Sequence, residues 1–340
     1  MMDTVQNPLL ELLAEYRRGL RPVFNLGPFL PVAMMQQKGL GLNEILQKPE
    51  ALATAAQLNF ELGFEATILP YDINVEAEVL GAEIRYYNSC DGIPVYPTIV
   101  DKWVSTVSDL VIPNNLETQG RLPVIGSALA EIKQKKAAEG IVGMFIPGPF
   151  TLAGQVMDLD EMFIMVLKKP ENLSKILLKL ADFIKEIRDF YVSAGADFIV
   201  LEEGGATSIS PGMFQNLVLP GLKDILKQKD VPHVLSMTGS ANHFLELMIE
   251  CQADGFGIDQ ECDNRQARKL IPENLPLFTV CGDYSMLSKA TPEEVAAKVK
   301  TTLDMGFTGV VPPVDIYPPA KLENITAFIQ AAGNYCPDAL

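Results

Sequence analysis

The chain places acids, one histidine and one thiol at the edges of short apolar runs. Asp72 follows Ala66-Thr67-Ile68-Leu69-Pro70-Tyr71, Glu202 and Glu203 end Phe198-Ile199-Val200-Leu201, and His233 opens Val234-Leu235-Ser236-Met237. Carboxyl and imidazole groups in such places suit general acid–base work, which makes Asp72, Glu203 and His233 the candidate catalytic residues. Asn25, Tyr71, Glu202, Asp259, Cys281, Asp315 and Tyr317 stand at comparable run ends and are candidate substrate contacts, with Ser236, Thr238, Gln260 and Asp283 close by. No Arg or Lys appears among them, so a pocket built from these side chains favours neutral or cationic ligands, or protons.

Each candidate has a plainer alternative. Adjacent strand residues point to opposite sides, so one of Glu202 and Glu203 is expected to enter the site, and the sequence leaves open which. Asp72 suits a helix N-cap. A lone strand histidine such as His233 is commonly structural, and Cys281 reads equally well as a small buried hydrophobe.

These residues need a frame that brings run ends together. Eight strand-like runs are spaced along the chain, at 22–27, 66–71, 141–146, 198–203, 233–237, 255–259, 277–281 and 309–312. Helical stretches follow them, near 43–63, 151–167, 171–194, 242–251 and 321–334. Ser210-Pro211 is an N-cap with proline at N1, and Thr291-Pro292-Glu293-Glu294 is a capping box. Runs that are apolar throughout suit strands covered on both faces. Eight such units predict an α/β fold of the (β/α)8 TIM-barrel type, with its chemistry at the C-terminal strand ends. An open doubly wound sheet is the competing architecture, but no Gly-x-Gly-x-x-Gly follows the first run. The even spacing of the later units predicts one domain, 1–340, with an irregular excursion at about 73–138 that holds Trp103.

Composition narrows the partners. A net charge of −16 repels a phosphate backbone, which argues against nucleic acid. The five cysteines form no regular framework, as in a reduced cytoplasm. No apolar run is long enough to span a bilayer, and Met1-Met2-Asp3-Thr4 shows no basic, then apolar, leader pattern. A cytoplasmic protein without a membrane partner is expected.

Several segments resemble the corrinoid-dependent methyltransferases of the uroporphyrinogen decarboxylase superfamily, in particular the methylcobalamin:coenzyme M branch. They are Leu62-Gly63-Phe64-Glu65-Ala66, Pro70-Tyr71-Asp72-Ile73-Asn74-Val75-Glu76-Ala77-Glu78-Val79-Leu80-Gly81, Pro147-Gly148-Pro149-Phe150-Thr151-Leu152-Ala153-Gly154, Gly195-Ala196-Asp197-Phe198 with Ile209-Ser210-Pro211, His233 with Gly239, and Pro312-Pro313. The resemblance covers nearly the whole chain and implies a uroporphyrinogen decarboxylase-like barrel. Uroporphyrinogen decarboxylases place arginines after the first strand, whereas Asn25-Leu26-Gly27-Pro28-Phe29-Leu30 has none. Burying a many-carboxylate substrate without cations would cost several kcal/mol per group, so decarboxylation is not expected, although Tyr71-Asp72-Ile73 resembles that enzyme's catalytic turn.

The thiol-directed methyltransferases of the superfamily hold zinc on a His-x-Cys at strand five and a Cys at strand eight. Here His233 stands at the histidine place, Leu235 at the first cysteine place, and Gly309-Val310-Val311-Pro312 lacks the second cysteine. Resident zinc is therefore not expected, unless rebuilt on His233, Cys281 and Glu203. Because a thiol needs such a metal and an amine does not, the resemblance implies methyl transfer between methylcobalamin, carried by a separate corrinoid protein, and a small non-thiol molecule. Tetrahydrofolate is favoured. The alternatives are a demethylase loading methyl from an ether or methylamine, a zinc-dependent thiol methyltransferase, and a non-catalytic tetrapyrrole-binding barrel.

Overall fold

A computed structural model of the chain describes residues 7–16, 23, 25–90, 93–136, 140–227, 230–313 and 320–336. Nine strands occur among them: β1 (Ala66–Leu69), β2 (Ile84–Arg85), β3 (Thr98–Ile99), β4 (Ile141–Pro147), β5 (Phe198–Glu202), β6 (His233–Met237), β7 (Gly255–Ile258), β8 (Leu277–Val280) and β9 (Gly309–Val311). Seven form one parallel sheet in the order β1-β4-β5-β6-β7-β8-β9. Each neighbour is the next barrel strand in sequence, with helix between, as a TIM-type barrel requires.

Seven of the eight expected runs are thus strands of that sheet. The run at 22–27 is not assigned as one, and Pro22 and Phe24 lie outside the described residues. Val23 nevertheless runs beside β1. Its carbonyl accepts from Glu65 N at 2.9 Å, while its N–H donates to the Glu65 carboxylate at 3.1 Å. A side chain thus takes the place of a ladder carbonyl. Leu26 still packs inward with Ile68, Phe145, Phe198, Val200, Val234, Phe278 and Val311. That cluster fills the barrel, and a larger one packs the sheet against its helices.

Local signals set the helix starts. Asp158, Ser210, Asp263 and Asp283 cap their helices through side-chain oxygens, and Thr291 with Glu294 forms the expected capping box. Among the described residues no helix is long and apolar enough to cross a membrane.

The excursion leaves after β1 and crosses the mouth of the barrel. It contains the helix Val75–Val79, the antiparallel β2–β3 pair and the helix Leu122–Lys136. Trp103 N and Val104 N both bond to Val156 O at 3.0 Å, which ties the excursion to the helix following β4.

Candidate functional site

A cavity of about 580 Å³ opens at the C-terminal ends of the strands, lined by barrel residues (Phe145, Ile258, Val280, Val311) and by the excursion (Tyr96, Pro97, Ile99). The walls are mainly apolar with a few polar groups, the usual composition of a small-molecule site. Those groups are Asp72, Asn74, Thr98, Lys102, Gln155, Glu202, Ser236 and Thr238.

Glu202, the last residue of β5, supplies the carboxyl group at the floor. Its Oε1 accepts from Gly204 N, Thr238 N and Thr238 Oγ1, each at 2.9 Å. The Ser236 hydroxyl bonds to the same group. Burial pushes the Glu202 carboxyl above the ordinary carboxylate range, against the pull of these donors. The arrangement needs glycine at the next position but one. A Cβ on Gly204 would stand 1.9 Å from Thr238 Oγ1 and 2.6 Å from the Glu202 carboxylate.

Asp72 is held quite differently. Arg121 clamps it from two nitrogens, NH1 to Oδ2 at 2.6 Å and NH2 to Oδ1 at 3.0 Å, and Asn74 N donates to Oδ1 at 2.9 Å. The same guanidinium reaches Glu78 through Nε at 2.6 Å and lies 5.8 Å from the Tyr86 ring centroid. Burial opposes the Arg121 charge, yet its carboxylate partners outweigh that and raise its pKa. Behind the clamp, Glu76 is wholly buried. Its Oε1 accepts from Tyr191 OH at 3.2 Å, its Oε2 has no partner, and desolvation pushes the carboxyl up to about 8.

Other expected site residues fall elsewhere. Glu203 is turned away from the cavity, where its carboxylate accepts from Phe150 N, Thr151 N and Thr151 Oγ1 at 2.7–3.0 Å. It caps the helix Pro149–Val156, and burial pushes it up to about 7. The acid that enters the cavity is therefore Glu202. His233 is the first residue of β6, roughly 10 Å along the strand from Ser236 at the usual strand rise, and lies buried at the end remote from the mouth. Cys281 packs under the helix Pro292–Leu303, with Sγ 3.5 Å from Thr302 Oγ1, and burial raises its thiol pKa.

The trio His233, Cys281 and Glu203 is accordingly not brought together, so the rebuilt zinc site fails on geometry. Asn25 is buried with neither side-chain polar atom bonded; its neighbours Leu26 and Gly27 line the cavity instead. Tyr71 borders the cavity, but its hydroxyl turns inward to Asn59 at 3.0 Å, and burial raises its pKa. Asp259 accepts from Gly239 N at 3.0 Å and braces that turn, where the glycine has φ +81°. Asp315 and Tyr317 lie outside the described residues. The expectation of a site without cations is corrected by Lys102, which lines the cavity, and by Arg121 on Asp72. Nothing local in the sequence announces Arg121, which lies 49 residues beyond its partner.

A model of the uroporphyrinogen decarboxylase (URO-D) family matches residues 6–335. The chain belongs to this family. Within it, the methylcobamide:CoM methyltransferase MtbA of Methanosarcina acetivorans is 28% identical over 312 residues, covering 89% of this chain and 90% of that one. A uroporphyrinogen decarboxylase of Thermoplasma acidophilum is 22% identical over 343 residues, covering 96% and 99%. A solved methyltransferase from Methanosarcina mazei superposes with a TM-score of 0.86 at 24% identity, over 96% of this chain and 98% of that one. This last match shows the same uroporphyrinogen decarboxylase-like barrel.

The zinc known from thiol-directed members of the family can be tested against the donors here. The side chains two apart that reach the cavity from the end of β6 are Ser236 and Thr238. Val311 lines it from β9. Two neutral hydroxyls and a carboxyl whose Oε1 is already engaged do not suit zinc, which takes thiolate, imidazole and free carboxylate ligands. Among the described residues no group of three or more His, Cys, Asp and Glu side chains converges into a metal site.

Proposed function

We propose that the chain is a corrinoid-dependent methyltransferase acting between a methylated corrinoid, carried by a separate protein, and a small non-thiol molecule, with tetrahydrofolate the favoured acceptor. Homology to proteins named methylcobamide:CoM methyltransferases supports the corrinoid half of this reading. The non-thiol half rests on one observation, the Glu202–Ser236–Thr238 set at the cavity floor.

The corrinoid supplies an electrophilic methyl group. An attacking amine nitrogen gains positive charge as it takes that methyl. The oxygens of Glu202, Ser236 and Thr238 at the floor suit that charged nitrogen, whereas they offer a thiolate no cationic partner. As the nitrogen–methyl bond forms, the methyl–corrinoid bond would break with its electron pair left on the corrinoid, and Glu202 is the group placed to take the proton released from the nitrogen. Apolar walls exclude water, and much of the rate would come from alignment. Decarboxylation is not favoured, because Arg121 is already committed to two carboxylates of this chain. A second reading is favoured by the raised Glu202 carboxyl: protonating an ether oxygen or amine nitrogen would release its methyl to a reduced corrinoid.

The test is anaerobic. Purified protein is mixed with methylcob(III)alamin and tetrahydrofolate, the corrinoid spectrum is followed, and metal content is measured on the same sample. Demethylation at a rate unaffected by chelator is the expected result. Activity only with a thiol, in step with bound zinc, would overturn the non-thiol reading.

A further inference from the structure

The mouth of the cavity carries polar groups that the methyl-transfer chemistry at Glu202 does not use. Lys102 lines it from the loop after β3, and its Nζ donates to Gly154 O at 2.6 Å. In a chain of 43 acids and 27 Lys and Arg, Lys48, Lys133, Lys185, Lys223 and Lys300 all reach carboxylates. Lys102 pairs with none among the described residues. Partial burial lowers its pKa, with Asp158 only partly opposing, so its charge is under-compensated where it stands. Next to the carbonyl it holds is Gln155. That side chain donates Nε2 to Ile73 O at 2.8 Å and keeps a buried Oε1 with no partner. Capping the last turn of the helix Pro149–Val156 accounts for one Lys102 N–H. It leaves two Lys102 N–H groups, and Lys102 and Gln155 line the same cavity.

We propose that Lys102, on the cavity wall beside Gln155, forms a subsite for an anionic tail carried by the molecule whose reacting head lies at Glu202. Lys102 would pair with the tail carboxylate through the N–H groups that Gly154 O does not take. Ile99 and Pro97 line the same cavity and offer apolar surface to the ring between head and tail. This deepens the proposed function and rests on it for the identity of the head, since tetrahydrofolate carries such a tail. The tail is recognised by its own chemistry and can be probed without turnover.

The probe is N-(4-aminobenzoyl)glutamate, the tail without the pterin, titrated calorimetrically into the full chain. Wild type is expected to bind it, Lys102→Met at least tenfold more weakly, and Lys102→Arg nearly as well as wild type. Lys102 is only partly buried, so these variants are expected to fold. No binding to wild type, or equal binding to Lys102→Met, overturns the subsite. Corrinoid demethylation with tetrahydrofolate is measured separately. Tail binding lost in Lys102→Met without any tetrahydrofolate turnover would keep the subsite and sink the acceptor. Turnover with an unchanged KM in Lys102→Met would do the reverse.

Discussion

Asp72 and Glu202 line the same cavity, yet their surroundings make them different chemical groups. Asp72 faces a guanidinium that bonds both its oxygens and fixes its position. Glu202 has only neutral donors around it, and burial moves it toward its protonated form. Two carboxyl groups held apart in this way divide the work: one sets the charge of the site, the other carries the proton. The division follows from where each partner originates. The donors of Glu202 come from the neighbouring strand and turn of the barrel, while the Asp72 counter-charge comes from the excursion.

The sharpest way to break the comparison is Glu202→Gln. It keeps the shape and an acceptor oxygen but exchanges no proton, and kcat is expected to fall roughly 10²–10⁴-fold with the melting temperature little changed. In wild type the protonated form persists above the usual carboxylate range. Amine methylation, which needs Glu202 to take up a proton, therefore gains rate as pH rises through that raised value, whereas a demethylation needing a proton from Glu202 loses it there. The Gln variant lacks this limb. Wild-type turnover with an unchanged pH profile would remove Glu202 from proton handling.

Arg121→Met attacks the other side. It strands the buried Asp72 and one bond of Glu78, and a loss of about 3–5 kcal/mol in stability is expected. Combining it with Asp72→Asn removes the uncompensated charge, so the pair should lose clearly less than the sum of the two single variants. Strict additivity in denaturant melts would show that the clamp is not a coupled unit.

How far the sequence reveals this division depends on how local each part is. Barrel strands are legible because apolar runs ending in Gly, Pro or acid recur with helical stretches between them. The capping box at Thr291 is legible because its signal spans four residues. Strand alternation shows that one of Glu202 and Glu203 faces in, but not which. The Gly204 contacts that accompany the answer depend on Thr238, 34 positions away in sequence, brought close only by the β5–β6 pairing. His233 illustrates a rule applied incompletely, since the principle that puts chemistry at C-terminal strand ends argues against the first residue of a strand. Arg121 is illegible for a physical reason. Ion pairing between an irregular excursion and a barrel loop leaves no periodicity, only a lone arginine before a helix.

The smallest expected effect concerns Glu76, behind the clamp. Burial pushes its folded pKa up to about 8, from an ordinary 4.5. The stability linked to its neutral form is fully present below the unfolded value and is lost as pH rises through about 8. Glu76→Gln is neutral at every pH, so its stability relative to wild type should improve by about 2 kcal/mol between roughly pH 6 and pH 8, read from denaturant melts. Equal differences at both pH values would mean Glu76 is ionised throughout. The clamp already sets two carboxylates against one guanidinium, and an ionised Glu76 would add a second uncompensated charge. Asp72 raises the Glu76 pKa and Arg121 lowers it. In an Arg121→Met, Asp72→Asn background both influences vanish together, and the pH dependence should change little. With Arg121→Met alone it should move to higher pH, which tests whether the clamp side behaves as one electrostatic unit.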